Sequence, residues 1–266
     1  MTMDDGAGET VEVSFTLAVG ALGMNASVQV PAGEVNLTQL LPVLQELTND
    51  IVGGVVEVVK SQGRDVSCRA GCGACCRQMV PLSLFEAEAL GEWMGTLAPE
   101  RQEELQGRFR VALEQLEERG ILAKMGPQLW RTGEDEGEAF GLEYLRARVA
   151  CPFLENESCG IHPIRPLICR EYLVTSPPEY CGIPVPEKVD RIAMPVKPSN
   201  GLFHLGAKVE KYARGWIPLV FLVEWMKNSE RPGKAISGAG PDVLFSFLRE
   251  LSPNKNKPVG DELEGA

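Results

Sequence analysis

Residues 36–59 read NLTQLLPVLQELTNDIVGGVVEVV. Leu37, Leu40, Leu41, Leu44, Leu47, Ile51, Val55 and Val59 recur at helical spacing, so one apolar stripe runs along a helix that Asn36 can cap. Gly53 and Gly54 fall inside it, where they either allow close packing or break the helix. Upstream the period changes. Val11, Val13, Phe15, Leu17 and Val19 alternate with polar or small residues, and Ala26, Val28 and Val30 alternate again after a turn at 20–24. This predicts a β-hairpin ending at Pro31.

Downstream the pattern is helical. Ser83 with Glu86 has the form of a capping box, which opens a helix through Leu97. A second helix starts near Pro99, presents Leu105, Phe109, Leu113 and Leu116 on one face, and stops at Gly120. Residues 126–138 read as a loop and 139–148 as a short helix. Prolines at 177, 178, 184, 186, 195 and 198 make residues 176–200 an irregular connector. A helix is expected from Leu205 to Asn228, kinked or split at Pro218. A glycine-containing loop over 229–241, an amphipathic helix at Asp242–Leu251 and a disordered tail complete the chain. The expected fold class is mainly α (α+β).

Eight cysteines carry the chemistry: Cys68, Cys72, Cys75, Cys76, Cys151, Cys159, Cys169 and Cys181. The chain opens on acidic residues rather than a basic segment and an apolar run, so a reducing cytoplasmic setting is expected. The four thiols within residues 68–76 are poorly placed to bond with one another, which favours metal ligation over disulfides. Cys72 and Cys75 can turn back onto one ion, with Gly73 permitting the tight backbone. Adjacent Cys75 and Cys76 diverge, so they serve different metals, or one ligates while the other packs. The second group holds Cys151, Cys159 and Cys169, with His162 between the last two. Four sulfurs close a tetrahedral zinc site or hold a four-iron cluster, and eight suffice for two sites. Cys181, in the proline-rich stretch, reads as a small buried hydrophobe. His162 reads as a hydrogen-bonded neighbour of the thiols and His204 as structural. Arg69, Arg77, Arg165 and Arg170 can balance thiolate charge.

The run Cys72-Gly-Ala-Cys75-Cys76, then Cys151-Pro-Phe-Leu, Cys159-Gly-Ile-His162, Arg165-Pro166 and Cys169-Arg170 resembles the YkgJ-like cysteine-cluster proteins. That family is described as a zinc- or iron-chelating domain, and the flagellin lysine-N-methylases carry a related cluster. The resemblance covers roughly residues 65–175. It implies that Cys72, Cys75, Cys76, Cys151, Cys159 and Cys169 bind zinc or an iron–sulfur cluster, the 4Fe–4S form if the metal is iron. Cys68, one residue further upstream than the usual spacing, joins them as a candidate.

Composition bounds the rest. With 26 basic against 37 acidic residues, the net charge of -11 repels a nucleic-acid backbone. Trp216–Met226 is too short to span a bilayer and reads as a buried helix. Phosphate-loop and nucleophile-elbow signatures are missing. Cys68-x3-Cys72-x2-Cys75 has the spacing of radical S-adenosylmethionine enzymes, but those are strand–helix barrels and this pattern is helical. Expected units are an N-terminal hairpin and helix (1–64), a metal-binding domain (65–175), a connector with C-terminal helices (176–251) and a tail (252–266). The leading expectation is a structural metal site. The alternatives are a methylase-like enzyme with a protein substrate, and a metal-delivery or redox-sensing protein.

Overall fold

The computed structural model describes residues 8–19, 22–125, 134–209, 215–228 and 232–251. Strands β1 (Thr10–Val19) and β2 (Leu22–Pro31) pair antiparallel, from Thr10↔Pro31 to Val19↔Leu22. Side chains alternate across a strand, so Val13, Leu17, Val28 and Val30 share the buried face while Glu12, Ser14 and Gln29 are exposed. The turn expected at 20–24 is shorter, because β2 has begun by Leu22; residues 20 and 21 lie outside the described residues.

Strand β3 (Glu34–Asn36) leads into helix α1 (Leu37–Ser61). Asn36 Oδ1 accepts the Gln39 N–H at 2.9 Å, and the Asn36 N–H donates to Gln39 Oε1 at 2.9 Å, closing a capping box. The stripe buries Leu37, Leu40, Leu41, Leu44, Leu47 and Ile51. Gly53 and Gly54 neither break α1 nor serve close packing: both are exposed, and a Cβ on either would meet nothing within 4 Å.

Strand β4 (Pro81–Ser83) and helix α2 (Leu84–Gly95) follow, with the Ser83–Glu86 capping box in place. Helix α3 (Pro99–Glu118) ends before Gly120, whose φ of +68° suits glycine at a helix terminus. Helix α4 (Glu134–Ala147) begins earlier than expected, so 134–138 is helical rather than loop, and 126–133 lies outside the described residues. A two-stranded hairpin, β5 (Leu154–Glu155) and β6 (Ser158–Cys159), precedes helix α5 (Leu167–Glu171).

The C-terminal part departs most from expectation. Helix α6 (Pro198–Val209) starts at Pro198, where proline at the first turn loses no helical hydrogen bond. Residues 216–218 form strand β7 (Trp216–Pro218), paired with β4 through Pro81↔Pro218. A 3₁₀ turn over Leu219–Phe221 then opens helix α7 (Leu222–Asn228). The helix expected over 205–228 is therefore two helices with a strand between them, since β4 satisfies the backbone that Pro218 withholds from a helix. Strand β8 (Ser237–Ala239) pairs with β3, and helix α8 (Gly240–Leu248) follows. The tail from 252 lies outside the described residues.

The fold is mainly α, with eight α-helices among the described residues and a small N-terminal antiparallel pair. Three apolar cores organise it. The first joins the hairpin and α1 to Leu202 and Leu205 of α6 and to Val243, Leu244 and Phe247 of α8. The second joins α2, α3, β7 and α7 around Phe153, whose ring meets Phe109 edge-on at 5.3 Å and Trp93 at 6.2 Å. The third packs Phe140 and Tyr144 of α4 against Ala112 and Leu116 of α3. Among the described residues no helix is long and apolar enough to cross a membrane.

Candidate metal centre

The thiols sit on four short pieces of backbone. The first piece is the loop 67–73 and a 3₁₀ turn over Ala74–Arg77. The Ser67 N–H donates to Val174 O at 2.9 Å, and Ser67 Oγ to Thr175 O at 3.0 Å, so the loop is moored beside the chain that leaves α5. Within it the Cys72 N–H reaches Arg69 O at 3.2 Å and the Cys76 N–H reaches Gly73 O at 3.0 Å.

The second piece is the β5–β6 hairpin with Cys151 before it. The Cys151 N–H donates to Cys76 O at 2.7 Å, which ties the two cysteine groups together through backbone. Asn156 and Glu157 both have positive φ (49° and 59°), as a two-residue hairpin turn of the primed type requires. Arg77 clamps this turn with two bonds to the Glu157 carboxylate, at 2.9 and 2.5 Å, and also donates to Gly73 O at 2.9 Å. Gly73 itself has an ordinary φ of -99°. The expectation that it relieves a tight backbone is corrected: a Cβ there would lie 2.5 Å from Leu154 Cδ1 and 2.9 Å from Glu157 O. Glycine is required because the hairpin comes so close.

The third piece is the loop 162–166 with α5, which carries Cys169. Arg170 is buried, and each of its three nitrogens makes a hydrogen bond. Its Nε donates to Arg165 O at 3.1 Å, Nη1 to Asn49 Oδ1 of α1 at 2.9 Å, and Nη2 to Pro163 O at 2.6 Å. Glu86 Oε1 accepts the Leu167 N–H at 2.7 Å, seating the start of α5 on α2. The fourth piece is the 3₁₀ turn Pro178–Gly182 with Cys181. Gln78 Nε2 bridges Tyr172 Oη at 3.0 Å and Cys181 O at 2.9 Å, which holds this turn against the first.

Cys68, Cys72, Cys75, Cys169 and Cys181 line one cavity of about 230 Å³, together with Arg69, His162, Arg165 and Tyr172. Cys76, Cys151 and Cys159 are not on its wall; Cys151 and Cys159 pack against the second core instead. Among the described residues no three Cys, His, Asp or Glu side chains are already set as a metal-ligand group. Cys181 is both buried and on the cavity wall, a placement that its position in a proline-rich stretch concealed. His204 lies on α6, off the wall, with a buried Nδ1 that has no hydrogen-bond partner.

Without a cation, burial keeps most of these thiols protonated. It pushes Cys151 up to about 12 and Cys181 up to about 11, and it raises Cys169, Cys159 and Cys68. Cys75 is the exception. Its interaction with the neighbouring Cys76 thiol lowers it against the cost of burial, and the same interaction raises Cys76. Arg165 pulls Cys75, Cys68 and Cys159 downward by its charge, and it is the main cause of the depressed His162 pKa. A soft divalent ion reverses this balance, because coordination deprotonates a thiol outright. Soft sulfur donors in a small, partly enclosed cavity suit zinc or iron.

No curated protein and no solved structure matches the chain. The model of the CxxCxxCC family, described as "Putative zinc- or iron-chelating domain", matches residues 67–185. The match extends past residue 175, where the resemblance read from the sequence stopped, and so takes in Cys181. Over residues 67–185, somewhat less than half of its length, the chain is therefore similar to the cysteine-cluster domain that this model describes.

Proposed function

We propose that residues 67–185 chelate zinc, or iron as a 4Fe–4S cluster, through thiolates drawn from separated segments. The observation that carries this reading is the cavity on which Cys68, Cys72, Cys75, Cys169 and Cys181 converge from three stretches of chain. Those five thiols would hold the metal from the cavity side, and Cys76, Cys151 and Cys159 from the side of the β5–β6 hairpin. When bound, the metal supplies positive charge to the thiolates and adds its binding free energy to folding. The protein's own part is positional. Arg77 and Gly73 bring the hairpin onto the first loop, Arg170 fixes the approach to α5, and Gln78 holds the turn bearing Cys181.

Metal and acid-labile sulfide analysis of protein purified without oxygen and without an affinity metal tests the reading. Iron and sulfide in near-equal amounts identify an iron–sulfur protein. Zinc at one or two per chain without sulfide identifies a zinc site. Neither metal, with eight free thiols titrated, refutes chelation. A second reading, metal delivery, is favoured by Cys68, which is exposed at the cavity wall. It requires exchange with a chelator within minutes, whereas a site inert for hours refutes it.

A further inference from the structure

We infer that Arg165 is the charge-compensating residue of the thiol cavity, aimed there so that its guanidinium donates N–H bonds to metal-bound thiolate sulfur. This rests on the chelation reading above and extends it to a residue that is not a ligand. The motif His162-Pro-Ile-Arg165-Pro166-Leu-Ile-Cys169-Arg170 places two arginines beside Cys169, and the structure separates their roles. Arg170 spends its donors on the Arg165 carbonyl, the Pro163 carbonyl and Asn49, so it holds the loop. Arg165 lies on the cavity wall among the thiols, and its Nε is buried without any hydrogen-bond partner.

A buried donor without an acceptor is costly, and native proteins keep few of them without a reason. Here the acceptors are supplied when the neighbouring thiols become thiolates. Arg165 is extended (φ -60°, ψ 149°), as a residue before proline prefers, so Pro166 fixes the direction in which its side chain leaves the backbone. The nearby cations are placed otherwise. Arg77 is bound to Glu157 and Arg191 lies over the Tyr172 ring at 5.4 Å, while Arg69 shares the cavity wall but is exposed to solvent, where its charge is screened. Several thiolates on one divalent ion leave net negative charge in a confined space. N–H donors around the sulfurs offset that charge and tune the affinity of such sites.

The test uses the full chain, loaded without oxygen with Zn(II), or with Co(II) as a spectroscopic probe. Arg165→Met, Arg165→Gln and Arg165→Lys are compared with wild type by competition against a chromophoric chelator across pH. We expect Arg165→Met to bind about 10–100-fold more weakly, the scale of outer-sphere substitutions at metal sites. Its pH midpoint for loading should rise and its sulfur-to-cobalt charge-transfer bands should shift. Arg165→Lys, which keeps the charge, should recover part of the loss, and Arg165→Gln less. The metal-free melting temperature of each should match wild type, whereas Arg170→Met should lower it. Wild-type affinity and pH midpoint in Arg165→Met overturn the inference. So does a loss of metal-free stability equal across all three variants without rescue by lysine, which marks a purely structural role. If wild type takes up neither metal, chelation itself fails, an outcome distinct from weakened variants of a loading protein.

Discussion

Replacing Glu86 should unseat the helix that carries Cys169. The side chain is 3% exposed and closes two structures at once. Its Oε2 accepts Ser83 Oγ at 2.6 Å and the Ser83 N–H at 3.2 Å, completing the capping box of α2. Its Oε1 accepts the Leu167 N–H at 2.7 Å, at the start of α5. Glu86→Ala removes the acceptor of all three donors, and the two short bonds, from the Leu167 N–H and the Ser83 hydroxyl, dominate the cost. At about 1–3 kcal/mol for each orphaned group, the loss is about 2–6 kcal/mol. Part of this is returned, because burial raises the Glu86 pKa and the charge is therefore costly to hold. A net loss of about 3 kcal/mol is expected, a large share of the ~5–15 kcal/mol that holds a domain together. Glu86→Gln keeps one oxygen for the Leu167 N–H and should lose about half as much. Urea unfolding by circular dichroism gives both values, with unchanged slopes showing that the unfolded states are alike. A loss below about 1 kcal/mol in Glu86→Ala would refute the reasoning, since two donors cannot then depend on this carboxylate.

Three further outcomes are expected. Gly73→Ala forces a methyl against Leu154 Cδ1 and the Glu157 carbonyl, and should cost about 1–3 kcal/mol by thermal melting with weaker metal retention; wild-type stability would show that the hairpin shifts freely. Burial lifts the Glu171 carboxyl to about 7, against the Ser199 N–H and hydroxyl that it accepts at 2.7 and 2.6 Å. A carboxyl raised on folding stabilises the fold in its protonated form, so stability should be full below about pH 4.5 and decline by ~3 kcal/mol as pH rises towards 7. Denaturation of Glu171→Gln over the same window should be flatter than wild type, and parallel profiles would contradict the assignment. Cys181→Ser should leave metal-free stability nearly unchanged and lower metal affinity in chelator competition; unaltered affinity would return Cys181 to the role of a packing residue.

Legibility followed the range of the interactions. The strands of the hairpin, the α1 stripe, the Asn36 and Ser83 caps and the stop at Gly120 are decided within a few residues and stand in the structure as read, the hairpin's turn alone being shorter. Residues 205–228 were misread because an apolar run such as Ile217–Val223 fits a helix as well as a strand. The arbiter is the pairing of Pro218 with Pro81, more than a hundred residues away. The reason for Gly73 was hidden in the same way: its dihedral angles are ordinary, and the crowding comes from Leu154 and Glu157. For the thiols, sequence spacing marked the two groups but not their division. Cys75 and Cys76 are neighbours in the chain, yet only Cys75 lines the cavity, while Cys181 arrives there through Gln78 and Tyr172.

The pairing of β3 with β8 bears on how the protein is made. A ribosome releases residues 34–36 early, but their partners at 237–239 emerge 58 residues after Cys181 (239 − 181 = 58). At about 5–20 residues per second, all eight thiols are outside the tunnel roughly 3–12 s before the β8 segment can dock. The apolar faces of the hairpin and α1 wait for Phe247 over the same interval. On the chelation reading, metal insertion thus has a window during translation, on a nascent chain whose N-terminal core is still open, and slowing elongation while residues 181 to 239 emerge lengthens it.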